Sequence, residues 1–255
     1  MNPKGEECWI AVVGPSGLDK RQATLHLCIR ADGEQFMPPF IIFRGKGFIT
    51  PEEVEYLDSL PNIRWAFQEN AWANALYSRK WLRYFASQLH QKWPGEDHLL
   101  FLDELSAQKG ARFNKIAMEN RIFPFPIPAN CTDVLQPVDH NVGARFKNIM
   151  NAFYKIDLGT NFERWRDYKN NNSMTESMRR MSMAFWANEA WAIVKHEKQF
   201  LRQSFSSTVL VKKDSSNSLS LRGINYKPRF HLGYFFLFLF LKFRCACNSL
   251  LLLLR

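Results

Sequence analysis

The chain has 255 residues, enough for one sizeable domain with a smaller appendage. Its composition, 46% hydrophobic and 23% charged, excludes an intrinsically disordered chain. The net charge of +10 is unevenly placed: residues 206–255 hold eight Lys or Arg against one Asp, which leaves +3 for residues 1–205. The basicity belongs mostly to the tail and is weak evidence for a polyanion surface on the body.

Five cysteines (Cys8, Cys28, Cys131, Cys245, Cys247) include no CxxC paired with a second CxxC or with a His pair. That excludes the common zinc patterns, and an odd count fits poorly with a secreted disulfide framework. The opening "MNPKGEECWIAVV" has one Lys and no long apolar core, so no signal peptide is read there and the inside of a cell is the default compartment.

In chain order, the first third reads as strands. "CWIAVV" (8–13) precedes the polar turn "GPSGLDKRQ", which lacks the Gly-Lys-Ser/Thr ending of a phosphate loop. In "ATLHLCIRA" (23–31), Leu25, Leu27 and Ile29 alternate with more polar neighbours, the period of a half-buried strand. Asp32-Gly33 then signals a hairpin, and "FMPPFIIFRGKG" (36–47) supplies a third strand with its prolines at the start. Short turns between these runs predict an antiparallel meander.

From residue 78 the period changes. Trp81, Leu82, Phe85 and Leu89 fall at helical spacing over 78–93, and Pro94-Gly95 stops the element. "HLLFL" (98–102) is short and continuously apolar, as expected of a strand covered on both faces. A helix around 110–120 and a strand over 122–128 follow. Beyond Asp139, Val142, Phe146, Ile149 or Met150, and Phe153 trace one helical face, and 174–196 form a helix rich in Met and Trp. Trp186 and Trp191 read there as core rather than as a base-stacking platform. The pattern predicts an α/β fold with a mixed sheet.

Residues 206–255 change character, from a polar stretch to "FHLGYFFLFLFLKFRCACNSLLLLLR". The longest uncharged apolar part, about 230–241, is shorter than the roughly 18–20 residues of a spanning helix, so a membrane anchor is disfavoured. The tail reads as translated non-coding or misframed sequence and is set apart from the fold.

Asp103 ends the apolar run 98–102, and Asp139 precedes a helix 36 positions later. Divalent-metal chemistry on phosphodiesters needs carboxylates converging from different elements. A carboxylate at the C-terminal end of a buried strand would face the cleft where α/β sheets place ligands. By spacing alone, a strand-end turn residue and an ordinary helix N-cap account for the two better than a metal site does, since acidic residues are common at strand and helix ends.

The wording around the pair goes further. "ATLHLCIRADGEQFMPPFIIFRGKG", "ENAWANALYSRKWLRYF", "HLLFLDELSAQ" and "PANCTDVLQPVDHNVGARFK", in that order, resemble the DDE endonuclease domain of pogo-like transposases, with their Tigger, jerky and centromere-binding relatives. The resemblance covers roughly residues 5–195, and "NCTDVLQPVD" is its most specific part. It implies an RNase H-like mixed sheet flanked by helices, in which three acidic residues bind two Mg²⁺ (or Mn²⁺) ions for strand cleavage and transfer. Asp103 matches the second acidic residue of that set and Asp139 the third. Trp72 matches a recurrent aromatic, read here as core packing.

The first acidic residue, on a strand upstream of the Gly-rich turn, has no match, and that strand is expected to be missing ahead of Met1. Asp19 and Asp32 sit on turns. Glu104 and Gln108 also depart from the pattern, which has a small or amide residue and a His at those places.

The expectation is therefore a truncated DDE domain over 1–205 and a separate tail over 206–255. DNA is the implied partner, with Arg145 and Lys147 either as phosphate contacts or on a solvated helix face. No helix-turn-helix precedes the domain, so its DNA binding is expected to be non-specific. Metal ligation falls to Asp103 and Asp139, cleavage is impaired, and the nucleus is the compartment. Self-association is allowed and no small-molecule substrate is expected. The alternative is a domesticated, non-catalytic module for chromatin or protein interaction.

Overall fold

The computed structural model of the protein describes residues 23–102, 110–127, 141–166, 174–206, 211–213, 219–221 and 235–243. The expected strand at 8–13, Asp19, Glu104, Gln108 and both proposed metal ligands lie outside them.

Five strands follow the N-terminal region with helices between them: β1 (Ala23–Arg30), β2 (Phe40–Arg44), α1 (Pro51–Ser59), β3 (Arg64–Gln68), α2 (Ala75–Lys92), β4 (His98–Leu102), α3 (Ala111–Glu119) and β5 (Ile122–Pro126). Then come α4 (Gly143–Arg166), kinked at Asn161, α5 (Glu176–Val194), α6 (Lys198–Ser206), a small hairpin of β6 (Val211–Lys213) and β7 (Leu219–Leu221), and β8 (Phe235–Phe243).

Local chemistry explains several boundaries. Thr50, Asn74 and Thr175 each cap a helix by accepting a backbone N–H three residues on, at Glu53, Tyr77 and Met178. Pro51 fits the first turn of α1, where no N–H is needed. After β1, the Asp32 carboxylate accepts the Glu34 N–H at 2.9 Å, and Gly33 takes a φ of +82° that suits glycine. Asp32 is thus a turn residue, as its Ala-Asp-Gly context predicts.

The main sheet has six strands in the order β3-β2-β1-β8-β4-β5. Strand β1 runs antiparallel to β2 and β8, while β2–β3, β4–β5 and β4–β8 are parallel. Every strand but β1 therefore points the same way, and the mixed α/β class is as expected. Of the expected antiparallel meander, the described residues contain the β1–β2 pair. Both α1 and the parallel edge strand β3 come between elements that the sequence joins directly.

Helices cover both faces. Leu25, Leu27, Ile29, Ile41, Phe43, Leu99 and Phe101 pack with α1, α4, α5 and α6. Cys28, Ile42, Leu100 and Leu102 pack with α2 and α3 through Tyr77, Trp81, Phe85 and Phe113. Strand β1 is buried along its whole length, on both faces rather than one. Its polar positions Thr24, His26 and Arg30 are covered by the α2 side, with His26 Nδ1 3.0 Å from the Tyr77 hydroxyl. Burial pushes the His26 imidazole well below its ordinary pKa and the Cys28 thiol well above its own. Trp186 and Trp191 are buried, as their spacing predicts.

Strand β8 is the largest departure. The register runs from Ala23↔Phe243 to Arg30↔Phe236 on one side and from Leu99↔Phe235 to Leu102↔Phe238 on the other. A segment set apart from the fold by its composition thus joins β1 to β4 in the middle of the sheet. The reason is chemical. A slot between two covered strands wants a run without Gly or Pro that is apolar on both faces, and "FFLFLFLKF" supplies one over its first seven residues, up to Lys242. Among the described residues no helix is long and apolar enough to cross a membrane.

Candidate functional site

Because β2, β3, β4, β5 and β8 run in one direction, their C-terminal ends share one edge of the sheet. That is the edge where open α/β sheets place their ligands. Leu102 ends β4 there, level with Phe238 of β8, and Asp103 is the next residue in the chain. Asp103 and Asp139 both lie outside the described residues, and so does His140.

The donor chemistry suits a hard cation, since Mg²⁺ and Mn²⁺ take carboxylate oxygens. The number of donors is the difficulty. Strand β8, beside β4, carries no acidic residue, and continuing the register past Leu102↔Phe238 brings Leu239 next. Among the described residues no three His, Cys, Asp or Glu side chains converge as a metal-binding group. No step is derived through a metal on this arrangement.

Arg145 and Lys147 stand on the first turns of α4. The Arg145 guanidinium is engaged by Glu197, in the link from α5 to α6. Nη2 donates to Oε1 at 2.6 Å, and Nε donates to both carboxylate oxygens at 3.1 and 3.2 Å. This hydrogen bonding raises the Arg145 pKa further and ties α4 to α6. A phosphate would have to compete with Glu197 for Arg145. Lys147 is half-buried on the same helix.

Two loops at the ends of β2 and β3 carry exposed aromatics that sequence reasoning missed or placed wrongly. Trp72, expected in the core, is 42% exposed, and Phe48 is 90% exposed. The cause is local. The backbone N–H groups of Gly45 and Ala71 both donate to the Gln68 carbonyl, at 3.0 and 2.9 Å, so both loops hang from the last residue of β3. Ala71, fully buried, sits at φ +53°, and the chain reverses there and turns Trp72 outward. In the other loop Gly45 and Gly47 take φ values of +134° and +83°, which a side chain would strain. The legible signal was "RGKGF": two glycines and two cations at a strand end, followed by an aromatic with no apolar partner in its period.

The other polar clusters are structural ties. Arg30 bonds Asp32 at 3.1 Å and lies 3.9 Å over the Trp93 ring, and Lys198 pairs Glu34 at 2.6 Å. Arg202 donates to the Asp32 carbonyl, so α6 clasps the β1 hairpin.

A family model described as DDE superfamily endonuclease matches residues 20–209, about three quarters of the chain. No curated protein and no solved structure matches. The matched span covers β1 through α6, so the chain belongs to the DDE superfamily of endonucleases.

Proposed function

We propose that this protein is a transposase-derived, pogo-like DDE domain that binds DNA and is impaired in strand cleavage. Asp103 and Asp139 are its two metal carboxylates, for Mg²⁺ or Mn²⁺. Such a cation, when bound, supplies Lewis-acid stabilisation to a phosphodiester oxygen. The chain's own contribution, on this reading, is an RNase H-like sheet whose strand β4 ends one residue before Asp103. The antiparallel β1–β2 pair, the parallel β4–β5 pair and helices on both faces support that reading of the fold.

The impairment rests on one observation. The strand beside β4 is "FFLFLFLKF", which brings no carboxylate to the end of β4. Two metals need more ligands than two carboxylates provide, and loose ligation loses the geometry on which in-line displacement depends. Glu104 adds a like charge next to Asp103, and Gln108 cannot carry a proton. Nuclear location follows from DNA as the partner.

Purified protein is expected to leave supercoiled plasmid intact in Mg²⁺ or Mn²⁺ while binding DNA in a salt-sensitive way. Nicking that disappears in Asp103→Ala or Asp139→Ala would overturn the impairment.

A second reading, a non-catalytic interaction module, is favoured by an apolar groove of about 500 Å³ between α1, α4 and α5, lined by Tyr56, Phe153, Ile156, Met178, Met181 and Phe185. Absence of DNA binding by a cooperatively folded protein would select it.

A further inference from the structure

We propose that the paired loops at the ends of β2 and β3 form a stacking site for unpaired nucleobases, with Phe48 as the stacking ring and Arg44 and Lys46 as its phosphate contacts. The inference rests on the DNA-binding reading and assigns a contact surface within it.

Exposure and rigidity coincide at Phe48. A large aromatic that is 90% exposed stabilises nothing in the fold, and burying it against a partner would recover its apolar surface. The ring is not on a loose tip. Gly45 is bonded to the Gln68 carbonyl, and Gly47, at φ +83°, stands over Phe67, whose side chain a Cβ added there would meet at 3.7 Å. Phe67 in turn lies under the Arg180 guanidinium at 5.6 Å and meets Phe43 and Trp65, so the loop stands on packed core. A ring presented on a stiff loop loses little conformational entropy on binding. Trp72, on the loop anchored to the same Gln68 carbonyl, is a second partly exposed aromatic.

The charge points to a polyanion. Arg44 and Lys46 are exposed, and neither is paired with a carboxylate among the described residues. Over residues 44–50 and 68–80 the formal charge is +3, with Glu69 the single acid against Arg44, Lys46, Arg79 and Lys80. Glu52, which follows, is occupied at the start of α1, where the backbone and Thr50 hold its carboxyl below the usual range. Alternating cations and exposed rings are the composition that tracks single-stranded nucleic acid, because every base has a π-face and every link a phosphate.

Position fits the same ligand. Phe43 stands level with Phe243, five residues farther along the strand direction than Phe238, which is level with Leu102. The loops therefore lie on the same side of the sheet as the end of β4, about 17 Å beyond it in the strand direction at roughly 3.3 Å per residue and three strands to the side. A strand held near Asp103 would reach them within a few nucleotides.

The test uses the full chain and fluorescence anisotropy with a labelled 20-mer oligo-dT and with a duplex of equal length. Phe48→Ala is expected to weaken oligo-dT binding about tenfold and leave duplex binding unchanged. Phe48→Trp is expected to match the parent, and Phe48→Leu, apolar but without a ring, to resemble Phe48→Ala. The melting temperature of each variant should stay at that of the parent, as the exposure of Phe48 requires. A parent that binds DNA with Phe48→Ala unaltered, or with single strand and duplex weakened alike, overturns the stacking site and leaves the DNA-binding reading standing. So does a Phe48→Trp that binds as weakly as Phe48→Ala. A parent that binds neither probe overturns both.

Discussion

Arg180→Ala tests how α5 is fastened to α1. Glu53, in the first turn of α1, is 1% exposed, and its carboxylate accepts from Arg180 Nε at 2.6 Å, Arg180 Nη2 at 2.8 Å and Ser177 Oγ at 2.6 Å. Burial by itself would raise the Glu53 carboxyl, but the hydrogen bonds from Arg180 and Ser177 outweigh it and hold the pKa below the usual 4.5. Removing Arg180 leaves a buried anion with a single hydroxyl partner. The expected cost is about 3 kcal/mol at pH 7, the lower end for breaking a buried pair, or about 6–12 °C in Tm for a chain of this size.

The pH dependence follows from the signs. In the parent, a carboxyl with a depressed folded pKa contributes stability above its unfolded value, and that contribution fades as pH falls through the folded value. In Arg180→Ala the burial term is opposed only by Ser177, the folded pKa rises, and protonation relieves the variant. The gap between the two proteins should therefore be widest at neutral pH and narrow towards pH 4. Guanidinium-induced unfolding followed by circular dichroism at pH 7, 5.5 and 4.5 measures it, and Glu53→Gln in the Arg180→Ala background should recover part of the loss. A cost below about 1 kcal/mol, unchanged across that range, would place the pair among solvated surface bridges and refute the reasoning.

Two further expectations rest on the sheet. Truncation after residue 234 removes β8 and leaves β1 and β4 with exposed ladder edges, so the cooperative melt of the full chain should disappear. A truncated chain that melts cooperatively at the parent's temperature would show that the sheet does not depend on β8. His98, buried at the start of β4, has its pKa lowered by burial and by Arg30 to about 4. Its neutral form is the folded form, so stability should fall as pH drops from about 6.5 towards 4. His98→Gln should flatten that part of the stability profile, and an unchanged profile would remove His98 as its source.

Much of this protein was legible in its residues. Helical spacing located α2, α3, α4 and α5 to within a few positions, because an amphipathic stripe records which face is covered. The continuous apolar run "HLLFL" located β4, and Asp32-Gly33 located its turn. The motif order led to the DDE superfamily, since motifs are local text. Tertiary structure decided the rest. Strand β1 looked half-buried because Thr24, His26 and Arg30 are polar, and only the packing of α2 shows them covered. Trp72 looked like core, and a loop hung from the Gln68 carbonyl turns it to solvent, as its partner loop does Phe48. Strand β8 was the least legible, because pairing between residues more than two hundred positions apart leaves no local period. What a strand sits beside is a property of the sheet, and a sequence alone does not carry it.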